Sequence, residues 1–172
     1  WSTDNSDKTN VVTLFSEEPI TKVPSLHIKK KLFEVLDNLN PEIVILSGWD
    51  AIPSLYALLW ALKNNKPTVV ISESQEFDFK RSRIKELGKK LILKLIDSAF
   101  VGGVNQSDYL IKLGFNKERI FLGCDVVDND FFFQSKEPDN KKIISQLPKN
   151  FFMTSCRFVE KKNLSFLIKV FE

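Results

Sequence analysis

Histidine, methionine and cysteine are nearly missing from this chain: His27, Met153, Cys124 and Cys156 are their only representatives in 172 residues. A single histidine, on an expected helix rather than a strand-end loop, leaves no Ser/His or Cys/His nucleophile pair. Two cysteines without CxxC spacing make neither a disulfide framework nor a metal cluster. No metal or cofactor is therefore expected, and a reduced, cytoplasmic setting is the default. The signatures GxGxxG, Walker A, HExxH and GxSxG are all absent. The longest apolar stretch, "IPSLYALLWAL", is too short to span a bilayer. Charge of one sign is also scarce: the net value is +3, so nothing demands nucleic acid.

What is present suits an ordinary globular protein, with 43% hydrophobic and 27% charged residues. The length allows one substantial core and little more. Because the chain opens on Trp1 and carries its one methionine at 153, it is expected to be a piece of a longer protein.

The polar opening "WSTDNSDKTN" reads as a loop or frayed end, and "VVTLF" at 11–15 as a buried strand. "SLHIKKKLFEVLDNL" has helical spacing, with Pro41 to stop it. Then come the strand "EIVILSG", the helix "IPSLYALLWALKNN" with Pro53 in its first turn, the strand "PTVVISES" and the helix "KRSRIKELGKKLILKLIDS". "AFVGG" reads as a strand, "NQSDYLIKLGF" as a helix capped by Asn105 and closed by Gly114, and "RIFLGCD" as a strand. Five strands thus alternate with four helices, and the strands are continuous apolar runs. That pattern predicts an α/β fold with a doubly wound, Rossmann-like parallel sheet buried on both faces. "FFFQSKEPDNKKIISQLPKN" breaks the rhythm and reads as a connector. A new strand–loop–helix unit is expected from Phe151, giving a first domain over 1–150 and the start of a second over 151–172.

In an open parallel sheet, ligands sit at the carboxyl ends of the strands. The loops there are "SGWD" (47–50), "SESQEFD" (72–78), "GGVNQS" (102–107) and "GCDVVDND" (123–130). Their Gly, Ser and carboxylate content suits a polar cleft, although Gly and Ser also serve plain turns and helix caps. Glu73 and Asp78 could be paired acids for glycoside hydrolysis, but two acids flanking a loop arise readily by chance. Helix 80–97 is strongly basic, with Lys80, Arg81, Arg83, Lys85, Lys89, Lys90 and Lys94 against Glu86 and Asp97. Its apolar residues Ile84, Leu87, Leu91 and Leu95 form one stripe, expected to face the core while the cations face water. The alternative use of that charge is an anionic membrane surface or an acidic partner. In "SCRFVEKKN", Arg157 follows an apolar run and Lys162 precedes a helix. Such a pair, helped by free helix N–H groups, can hold an anion such as a diphosphate.

"SCRFVEKKNLSFLIKVFE" resembles the opening of the donor-binding domain in family 4 glycosyltransferases, which have the GT-B fold. "PEIVILSGWDAIPSLYALLWA", "PTVVISESQEFDFKR", "DSAFVGGVNQSDYLIKLGF" and "RIFLGCDVVDNDFF" are similar, in order and spacing, to the second half of that family's acceptor-side domain. Cys156 departs from the pattern, which usually has glycine there, and the family's early glycine-rich loop and later paired glutamates are absent. The resemblance implies retaining, metal-independent transfer of a sugar from a nucleotide-sugar donor to a carbohydrate or lipid-linked acceptor in an interdomain cleft. Arg157 and Lys162 would hold the donor diphosphate. Gly48, Trp49, Glu73, Ser74 and Gly103 would line the acceptor side, with Trp49 either stacking on a sugar or lying in the interior. It gives no catalytic base. The rival is a non-catalytic α/β module that binds a sugar or an anion. The 172 residues alone are expected to be inactive, with Phe151, Phe152, Phe166 and Phe171 partly exposed or docked on the first domain.

Overall fold

Short β-branched runs separated by helical stretches settle into a parallel sheet because each strand returns through a crossover helix. The computed structural model describes residues 10–16, 19–78, 82–124, 126–133, 148 and 150–171. The polar opening 1–9, Lys80, Arg81, Asp125 and the connector residues 134–147 lie outside the described residues. The strands are β1 (Val44–Leu46), β2 (Thr68–Ser72), β3 (Ser98–Val101) and β4 (Ile120–Leu122), paired in parallel in the order β1-β2-β3-β4. The helices are α1 (Ser25–Leu39), α2 (Ile52–Lys63), α3 (Arg83–Leu93), α4 (Val104–Lys112), α5 (Asn129–Phe133) and α6 (Leu164–Phe171). The α/β class and the parallel sheet are therefore those the apolar runs require.

Sequential strand order with right-handed crossovers carries successive helices to one face of the sheet. The packing agrees. Val44, Leu46, Val70, Ala99 and Val101 share that face by register and join Leu58, Trp60, Leu93, Tyr109 and Leu110 of the helices in a single core. On the other face, among the described residues, Ile45 and Phe121 are exposed and Val69, Ile71 and Phe100 only half-buried, so the burial expected on both faces is found on the helix-covered face alone.

Local chemistry sets the helix ends. Asn40 takes the left-handed conformation after α1 (φ 41) and returns its N–H to the Leu36 carbonyl at 2.8 Å, just before Pro41. Pro53 sits in the first turn of α2, where a missing N–H costs nothing. The start of α4 differs from expectation: Gly103, not Asn105, is the N-cap, and no side chain caps it. Gly114 (φ +91) does close the helix, and the Phe115 N–H reaches the Leu110 carbonyl at 3.0 Å.

Two expected strands do not form. Residues 11–15 pair with none of the described strands, and Val11 and Val12 are exposed. A β-branched run without a ladder partner has nothing to satisfy its backbone. Phe15 instead packs edge-on to His27 (centroids 5.5 Å apart, 84° between planes), with the Lys31 ammonium 4.9 Å from its ring. Residues 151–156 likewise form no strand and pair with none of the described strands.

Residues up to Val127 form one compact unit and those from Asp128 a second. In the second, Phe152 and Phe171 meet with ring centroids 4.5 Å apart. Phe151, Phe152, Phe166 and Phe171 are all exposed.

A part-buried polar joint ties the sheet together at the other end from the candidate site. Asp97 Oδ2 accepts from the Thr68 backbone N–H at 2.8 Å and from its hydroxyl at 3.0 Å, and Thr68 is almost fully buried. Replacing Asp97 with alanine strands two buried donors, so Asp97→Ala is expected to lower stability by about 1–3 kcal/mol. An unchanged urea midpoint would show the joint to be dispensable.

Candidate functional site

Because all four strands are parallel and adjacent, their carboxyl ends share one edge. The loops starting at Ser47, Glu73, Gly102 and Gly123 emerge there side by side. Gly48 and Gly123 turn their loops with φ +101 and +111, a region side chains rarely enter. A Cβ on Gly48 would also lie 3.3 Å from the Asp50 carboxylate. The Gly123 N–H donates to the Val101 carbonyl at 2.9 Å, which folds the exit of β4 over the end of β3. The N-termini of α2 and α4 open onto the same edge, so their free N–H groups and partial positive charge favour an anionic or hydroxyl-rich guest.

Gly48, Glu73, Ser74 and Gly103 all lie on this edge, Glu73 exposed and the other three half-buried. Ser74 donates its backbone N–H to Ser72 Oγ at 3.2 Å, tightening the turn after β2. Trp49 lies elsewhere in effect: its residue is only 5% exposed and belongs to the core. Of the two expectations for this indole, the interior one describes it. Buried in the core, it presents no face to a sugar.

Behind the edge stands a cluster that sequence reading missed. The Tyr109 hydroxyl donates to Glu86 at 2.8 Å, and Lys89 Nζ donates to Glu86 Oε1 and to Tyr109 Oη, both at 2.9 Å. The signal was there in principle: Glu86 and Lys89 are one turn apart on α3, and a tyrosine sits among the apolar residues of α4. Which way α3 faced was the unreadable part. Lys112 of α4 also pairs with Glu76, binding that helix to the loop after β2.

The cluster couples stability to alkaline pH. Burial penalises the Lys89 ammonium, but the hydrogen bonds to Tyr109 and Glu86 outweigh it and raise its pKa. Burial of the Tyr109 phenol raises its pKa too. Both folded-state values lie above the unfolded ones. Their contribution is thus full below about pH 10, the ordinary range of these groups, and disappears as pH rises through the folded values. Tyr109→Phe is expected to flatten the stability loss above that pH, measured by thermal unfolding across pH; an unchanged alkaline limb would mean the cluster is not its source.

In the second unit, Arg157 precedes a 3-10 turn spanning Glu160–Lys162, Lys162 is the last residue of that turn, and both residues are exposed. Asn163 then takes φ 48, and its carbonyl starts α6 by accepting from Phe166 N–H at 3.1 Å. The hollow beside this helix start, about 290 Å³, is lined by Phe158, Val159, Glu160, Asn163, Leu164 and Ser165. Arg157 and Lys162 are not among its described lining residues. They adjoin its lining residues in sequence, with Glu160, itself a lining residue, between them.

No family model matches the chain, and no curated protein matches it. Solved structures do. UDP-GlcNAc 2-epimerase from Neisseria meningitidis bound to UDP-GlcNAc aligns at 18% identity and TM-score 0.45, over 57% of this chain and 26% of its own. A putative UDP-N-acetylglucosamine 2-epimerase from Listeria monocytogenes aligns at 22% and 0.45, over 57% of this chain and 26% of its own. The S. aureus MnaA-UDP co-structure aligns at 16% and 0.47, over 69% and 35%. The chain thus spans between 26% and 35% of the length of these solved chains.

Proposed function

We propose that the protein is a sugar-nucleotide enzyme of the glycosyltransferase kind, moving a sugar from a nucleotide-sugar to an acceptor with retention at the anomeric carbon. The observation that carries this reading is the succession of family 4-like loops at one sheet edge, in the order and spacing of the strands that deliver them. Gly48, Glu73, Ser74 and Gly103 supply backbone, hydroxyl and carboxylate groups suited to an acceptor's hydroxyls. Arg157 and Lys162 are assigned to the donor's diphosphate. Departure of a nucleoside diphosphate builds negative charge on the leaving oxygens, and a guanidinium and an ammonium that bind it more tightly as it builds lower the barrier. Glu160 lines the hollow, so its carboxylate disfavours an anion held there and favours one held at Arg157 and Lys162 instead.

Calorimetry of the full-length protein with a nucleoside diphosphate and with free monosaccharides tests the proposal. Binding of the diphosphate that weakens in Arg157→Lys supports it. Binding of free sugar alone points instead to a non-catalytic sugar-binding module and would overturn it.

A further inference from the structure

Helix α3 is mounted inside out. Its apolar stripe was expected to face the core, yet Ile84 is 83% exposed, Leu87 59%, Leu91 56% and Leu95, just beyond the helix, 49%. The inward side carries Leu93 and the hydrogen-bonded Glu86 and Lys89, which Tyr109 of α4 holds in place. The geometry is consistent with helical spacing: residues 84, 87, 91 and 95 fall on one face, and 86, 89 and 93 on the opposite one.

Such a face is unfavourable in water, because four large apolar side chains along one stripe keep their area hydrated. The charges around it narrow what would cover it. Lys85 borders the stripe on one side and Lys90 and Lys94 on the other, and all three are exposed. Both nearby acids are turned away from it: Glu86 toward Tyr109, and Asp97 toward Thr68. Among the described residues, the outward face therefore presents leucine and isoleucine flanked by lysine, which is the complement of an anionic, apolar-backed surface. A protein groove would match the leucines but would need its own acids beside them, whereas a bilayer supplies both layers at once.

We infer that α3 lies in the plane of an anionic lipid bilayer, with Ile84, Leu87, Leu91 and Leu95 below the headgroups and Lys85, Lys90 and Lys94 among the lipid phosphates. This rests on the mounting of α3 and is independent of the proposed chemistry. Lys89, although part of the basic run, turns inward and takes no part.

Vesicle flotation of the full-length protein tests it, with phosphatidylcholine alone and with phosphatidylcholine mixed with phosphatidylglycerol. Binding is expected only to the mixed vesicles and fading with salt. Replacing Lys85, Lys90 and Lys94 with glutamine is expected to lower partitioning about fivefold per lysine. Leu87→Gln with Leu91→Gln is expected to abolish it; these side chains are exposed, so circular dichroism and the melting temperature should be unchanged. Equal binding to neutral vesicles, no binding to either, or a concentration-dependent dimer that the leucine variant dissolves would each overturn the inference.

Discussion

Trp60→Ala is expected to remove a large share of the folding stability of the sheet-bearing unit. The residue is almost completely buried in α2, at the centre of the core that joins the helices to β1, β2 and β3. Its indole N–H donates to Asp37 of α1 at 2.7 Å, so the same side chain also fastens α1 to α2. Truncating a buried tryptophan costs about 3–5 kcal/mol through lost burial and the cavity left behind. Domains of this size are typically stable by only about 5–15 kcal/mol. Trp60→Phe keeps much of the volume and loses mainly the hydrogen bond, so it should fall well short of the alanine loss. Chemical denaturation of the two variants separates packing from hydrogen bonding. A loss below about 1 kcal/mol for Trp60→Ala would contradict the core described here.

The second large effect is expected at the assigned diphosphate pair. Charge-assisted hydrogen bonds contribute about 1.5–3 kcal/mol each, so Lys162→Ala should weaken nucleoside diphosphate binding by about 10- to 150-fold. Arg157→Lys should also be costly although it keeps the charge, because an ammonium cannot reproduce the two-pronged guanidinium contact. Glu160→Gln should act in the opposite direction and tighten binding, since it removes a negative charge from the same loop. Titration calorimetry on the three variants checks all of this. Wild-type affinity in Lys162→Ala and Arg157→Lys would withdraw both residues from the donor site.

Much of the architecture was legible in the sequence because the strands announce themselves. Continuous apolar runs at 44–46, 68–72 and 98–101, punctuated by Pro53, Pro67 and Gly114, admit few readings other than crossover units. The strand predicted at 11–15 failed because β propensity describes a residue's fit to a sheet and cannot supply a neighbouring strand. The same applies to residues 151–156.

Direction was the other thing periodicity could not give. The stripe Ile84–Leu87–Leu91–Leu95 is real, but spacing reveals that a face exists and not which way it points. Its outward mounting follows from a tertiary contact, the Tyr109 hydroxyl between Glu86 and Lys89, whose partners are 20 and 23 residues away in sequence. Trp49 shows the same gap at the site. A tryptophan in a strand-end loop reads equally as a sugar platform or a core anchor, and only its burial decides. Positive φ at Gly48 and Gly123, by contrast, is something their residue type already permits.

The measurement that bears most directly on the proposed function is turnover of the full-length protein with a panel of nucleotide-sugars and glycan or lipid-linked acceptors. Nuclear magnetic resonance would follow the anomeric configuration of the product. The account predicts release of a nucleoside diphosphate coupled to formation of a new glycosidic bond with the donor's configuration retained, and loss of both in Arg157→Lys with Lys162→Ala. An inverted product, or a nucleotide-sugar epimerised at the sugar without transfer, would contradict it.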